Sequence, residues 1–141
     1  MSNSLNSQVI LDGPRNFKVK IVGILDTSDL ASTTIIDPST MSVMSQNFQP
    51  DRVRIERIVG NVENGLEARL FWDATSPVYI GTFTGHGHDE YEKAGGLPLP
   101  NPEPVGTTGK ILLTTQGWNT PGDVLSFTLE IECVKTHGIT V

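Results

Sequence analysis

The chain has 141 residues, 37% of them apolar and 18% charged, with a formal net charge of −6. A domain of this length buries roughly 68–70% of the surface its unfolded chain exposes and needs neither metal nor disulfide to fold; its one cysteine, Cys133, excludes an internal disulfide. Ten basic residues scattered through an acidic chain are set against phosphate backbones and anionic lipid surfaces, so neither nucleic acid nor membrane is expected as a partner.

The opening Met1 to Ser7 is polar and uncharged, unlike the basic and then apolar run of a secretory signal. No stretch approaches the roughly 18 apolar residues of a membrane span, so a chain made and kept in a cytoplasm is expected. Residues 1–15 show no periodicity and carry Gly13-Pro14, a turn signal. They read as an extended arm, disordered in isolation and ordering on a neighbour.

Phe17, Val19 and Ile21 alternate with Lys18, Lys20 and Val22 in the period of a half-buried strand. Thr33 to Ile36 is a second, β-branched strand, stopped by Asp37-Pro38. Ser39 to Gln46 is expected as one short helix. Val53 and Ile55 open a further strand, and the breach of alternation at Ile58-Val59 predicts either a bulge or a sheet that becomes covered on both sides. Asn64-Gly65 then predicts a type I′ hairpin into a strand with Leu66, Ala68, Leu70 and Trp72 on its core side.

Val78 to Phe83 and Ile111 to Thr115 are short strands. Between them, Gly85 to Gly109 is dense in glycine and proline and reads as a long, stiffened loop for contacting a partner. The last strand places Leu125, Phe127, Leu129, Ile131 and Cys133 inward, so Cys133 is expected as a buried, inert thiol. Some seven strands without a long amphipathic helix predict an all-β, antiparallel β-sandwich or jelly-roll-like single domain. Its expected bounds are an arm over 1–15, the sandwich over 16–135 and a tail over 136–141.

Catalytic chemistry finds little footing. His86 and His88 project to one side of an extended chain and could bridge a transition ion with Asp89, Glu90 or Glu92, but His-x-His alone is a weak signal. Asp73 and Asp89 could pair only in a shared cleft, and Asp73 reads more simply as a turn residue capping its own backbone. There is no nucleophile elbow, phosphate loop or dinucleotide fingerprint. No enzyme activity, metal or other cofactor is therefore expected. Trp72 matches its strand's core parity, whereas Trp118, in a turn, is expected to be exposed and could stack on a sugar ring.

Arg69-Leu70-Phe71-Trp72-Asp73-Ala74-Thr75 resembles a run in small virion structural proteins of tailed bacteriophages. The same order of features follows: Gly95-Gly96-Leu97-Pro98, then Gly109-Lys110-Ile111-Leu112-Leu113-Thr114-Thr115, then Gly122-Asp123 opening the last strand. The opening Val19-Lys20-Ile21-Val22-Gly23 strand fits too, and the likeness covers about Phe17 to Lys135. The Pro-rich loop from Leu97 to Pro104 is longer than the pattern. The resemblance implies a capsid decoration or cement protein, a homotrimer bridging copies of the major capsid protein on the virion surface. The alternatives are a neck or tail accessory protein, or a carbohydrate-binding module for host attachment. The expected contact residues are Ile10, Leu11 and Arg15 of the arm, Tyr91, Leu97 and Leu99 of the loop, and Trp118.

Overall fold

The computed structural model describes residues 3–100, 102–119 and 124–137. Among them nine strands run in chain order: β1 (Ser4–Asp12), β2 (Asn16–Leu25), β3 (Thr33–Ile36), β4 (Arg52–Val62), β5 (Glu67–Trp72), β6 (Val78–Phe83), β7 (Gly85–Glu90), β8 (Ile111–Gln116) and β9 (Leu125–Thr136). They form one sheet of order β1-β2-β9-β4-β7 and another of order β3-β8-β5-β6, with every pair antiparallel. The molecule is an all-β sandwich.

Period-2 alternation builds the core. Phe127, Leu129, Ile131 and Cys133 of β9 join Val19 and Ile21 of β2, Ile55 and Ile58 of β4, and Ala68, Leu70 and Trp72 of β5 in one buried cluster. A large aliphatic or aromatic side chain removed from water in this way stabilises by about 1.5–3 kcal/mol. Trp72 and Cys133 are buried, as their parity requires. The bulge in β4 is present between Ile55 and Arg57, and it resets the alternation so that Ile58 and Val62 also face the core.

Several expectations are corrected, beginning with four in the turns and loops. Asn64-Gly65 does not close a hairpin, because β4 and β5 lie in different sheets. Gly65 has φ 91° while Asn64 is not in the positive-φ region, so the type I′ turn, which needs both, is not formed. The Leu66 amide instead bonds the Glu63 carbonyl at 3.0 Å, in a turn that hands the chain from one sheet to the other. The expected helix over 39–46 is two single 3-10 turns, Pro38–Thr40 and Ser45–Asn47. Asp37 caps the first through the Ser39 amide and hydroxyl, and positive φ at Gln46 and Asn47 interrupts any continuation.

The third correction concerns the long loop. Its first residues are β7, paired with β4 from Arg57 to Val62. The chain then stays against the same strand: Leu97 and Ile55 exchange both backbone bonds, at 2.8 and 2.9 Å. Leu99 enters the core, with Tyr91 and Leu97 packed against it. Fourth, Trp118 is half-buried rather than exposed, packed on the core, and its amide donates to Asp29 at 3.0 Å.

The segment expected as an arm is the edge strand β1 over residues 4–12, joined to β2 through Gly13, Pro14 and Arg15. The Gly122-Asp123 start of the last strand and the tail beyond His137 lie outside the described residues.

Candidate interface

Hydrogen bonding and burial part company in β1. Eight of its residues are in register with β2, yet none of its nine is buried. Val9, Ile10 and Leu11 are 54%, 48% and 48% exposed. Val9 shares the face of its partner Val19, which is core, yet is itself exposed. Ile10 is the extra residue of a bulge between Val9 and Leu11, and Leu11 emerges on the outer face opposite Lys18. There it borders a groove of about 340 Å³ that Arg15, Glu56, Glu92 and Glu132 also line. Three consecutive apolar side chains thus stand exposed on a sheet edge, an arrangement that invites a partner.

The rest of that outer face is self-neutralised. Lys18 faces Glu132 and pairs with it at 3.0 Å. Arg57 faces Glu132 and Glu90, 3.5 Å from the latter. Lys20 stands opposite Glu130. Such exposed, alternating pairs contribute little each and leave no unbalanced field for a charged partner along these rows.

The C-terminal end of β1 is fastened from inside. Lys135 of β9 has a fully buried side chain. Its Nζ donates to the Asp12 carboxylate and, at 2.8 Å, to the Ser42 carbonyl. Asp12 also accepts the Ser42 amide at 3.0 and 3.1 Å and the Ser42 hydroxyl at 3.1 Å. Burial by itself raises the Asp12 carboxyl, but the bonds from Lys135 and Ser42, with the Lys135 charge, outweigh it and hold the group below its ordinary value. Removing one partner of such a buried pair strands the other charge.

A second apolar point is presented rigidly. Val105 is 83% exposed at the turn of the 102–109 segment. Its carbonyl takes the Thr75 amide at 3.0 Å, Arg52 grips Glu103 through two bonds of 2.6 Å, and the Thr108 hydroxyl donates to Asp73 at 2.7 Å. A Cβ on Gly106 would collide with Thr75, so only glycine lets these loops approach. Asp73 therefore ties two loops together instead of capping its own backbone.

The remaining sequence candidates are spread apart. His86 and His88 share one face of β7, opposite Asn61 and Val59, with Glu90 on that face beside Arg57. His137 follows β9, whose Thr136 pairs with Arg52, roughly 20 Å along β4 from Val59; its ring meets Phe48 at 5.6 Å. Among the described residues, no three His, Cys, Asp or Glu side chains are grouped to hold a metal ion. Burial pushes the Cys133 thiol up, with Glu56 and Glu132 adding to the shift. Leu99, Leu97 and Tyr91 are turned to the molecule's own core, leaving Ile10, Leu11 and Arg15 as the exposed members of the expected contact set.

The structural class is thus an antiparallel sandwich whose edge strand β1 carries an exposed apolar run, Val9 to Leu11. No family model matches the chain, and neither a curated protein nor a solved structure matches it.

Proposed function

We propose that the chain is a structural subunit of a phage particle, a capsid decoration or cement protein with a jelly-roll-like sandwich. In this reading it assembles as a trimer and bridges copies of the major capsid protein. The observation that carries the reading is the Val9-Ile10-Leu11 run on edge strand β1. It is an extended, uncharged surface that a shell subunit can cover by strand addition or apolar packing. The order of Trp72-Asp73-Ala74-Thr75, Gly95-Gly96-Leu97-Pro98 and Gly109 to Thr115 supports the same class. Val105, fixed at its turn, supplies a second contact point with little entropy left to lose on docking. Stable shell contacts bury upwards of about 2,000 Å², which one strand and one turn reach only together with neighbouring surface. A net charge of −6 keeps studded particles from adhering to one another.

The test is co-sedimentation with shells of the phage that encodes the chain, stripped of this protein. Wild type is expected in the pellet, and the Val9→Ser, Ile10→Ser, Leu11→Ser triple variant in the supernatant with its melting transition retained. Pelleting of the triple variant at wild-type stoichiometry would remove β1 from the contact.

A further inference from the structure

We propose that β1 is an exchangeable strand, and that the edge of β2 beneath it is an acceptor site for the β1 of a second copy. The exchange does not depend on the virion reading, since it follows from how β1 is held. Polar groups fasten the strand at its two ends. At one, Asn3 Oδ1 accepts the amides of Asp26 and Thr27 at 3.0 and 3.1 Å, and its Nδ2 donates to the Ser28 carbonyl at 3.0 Å. At the other stands the Asp12–Lys135–Ser42 clasp. Between them only Leu5 packs on the core. A strand with so few buried apolar contacts opens at lower cost than the strands that build the core.

Opening leaves two features that require a replacement. The Lys135 ammonium, fully buried in the closed molecule, loses its carboxylate. The backbone edge of β2 is bared alongside Phe17, Val19 and Ile21, all core residues. The occupant that satisfies both needs an extended, uncharged stretch, an extra residue at the position of Ile10, and a carboxylate placed to reach Lys135. The β1 of another copy has all three, because it is the same sequence in the same register. The hinge suits exchange: only Gly13, Pro14 and Arg15 separate the strands, in a turn closed by the Gly13 amide on the Asn16 carbonyl at 2.9 Å. Proline biases the residue before it toward extended backbone, and short hinges invite swapping. Reciprocal donation closes a dimer, and cyclic donation closes a trimer.

The experiment mixes two single variants of the full chain, Val9→Cys and Val19→Cys, at high concentration with oxidised glutathione. The two positions are cross-strand partners, and paired Cα atoms of antiparallel strands lie within the span of a disulfide. In a mixture of closed molecules the two introduced thiols sit on separate chains and never pair across β1 and β2, whereas exchange sets them side by side. Buried Cys133 stays out of the reaction. The expected product is a heterodimer linked between positions 9 and 19, identified by peptide mass, forming at least tenfold faster when both chains also carry Asp12→Asn. Products limited to links between two copies of position 9, in wild-type and Asp12→Asn backgrounds alike, would overturn the proposal. So would a rate of the mixed link that Asp12→Asn leaves unchanged, since the clasp would then not be the lock.

Discussion

The N-terminal strand and the 91–109 segment make opposite uses of the same kind of residue. Both carry apolar side chains in stretches that look unsuited to a core, one polar and aperiodic, the other rich in proline. β1 is hydrogen-bonded along its length and buries none of its residues. The 91–109 segment meets β4 by backbone at the Leu97–Ile55 bridge and through the Tyr91 amide on the Glu56 carbonyl, yet it sends Leu99 into the core with Tyr91 and Leu97 against it. Ladder bonds and burial are therefore separable. Ladder bonds fix where β1 lies, while burial fixes how hard the Pro-rich segment is to remove.

Substitutions can break that comparison. The largest effect is expected from Asp12→Ala, which leaves Lys135 charged and buried without its carboxylate and costs about 3–5 kcal/mol in chemical unfolding. A cost under about 1 kcal/mol would mean that β1 is not clasped from inside. Leu99→Ala should follow closely, at about 2–5 kcal/mol for a large-to-small change in the core. A near-neutral result there would return the Pro-rich segment to the role of an outward loop.

Acid sharpens the clasp's part. Asp12 is held below its ordinary value and the charged group that meets it is Lys135, so its contribution is complete above the unfolded carboxyl value of about 3.9 and fades as pH falls through the lower folded value. The stability gap between wild type and Asp12→Asn is expected to be constant above about pH 5 and to close toward pH 2. A gap that persists to the acid limit would place the loss elsewhere. The smallest effect belongs to Ile10→Ser, within about 0.5 kcal/mol, because a half-exposed bulge residue gives up little on truncation.

Alternation made most of the sandwich legible. β2, β4, β5 and β9 read as strands from residue parity and β3, β6 and β8 as short strand segments, while the β4 bulge was one of two readings of the parity breach at Ile58-Val59. β1 and β7 did not, since an edge strand with little or no burial, such as Ser4–Asp12 or Gly85–Glu90, places no demand for a hydrophobic period. Asn64-Gly65 misled because a dipeptide reports a turn but not which sheet the next strand joins. Of the candidate interface, Ile10 and Leu11 were legible as an apolar run. The clasp was half-legible: counting inward from Phe127 through Cys133 puts Lys135 on the core side of β9, which demands a buried counter-charge. That Asp12 meets that demand depends on the pairing of β1 with β2, a long-range fact no local pattern carries.

The most direct test of β1 as a separable contact strand is region-resolved amide hydrogen exchange on the wild-type chain near neutral pH. Amides of β1 are expected to exchange well ahead of those of β9, while the Ile55 and Leu97 amides keep pace with the core. Protection of β1 equal to that of β9 would contradict the account, because the strand would then open only when the whole sandwich does.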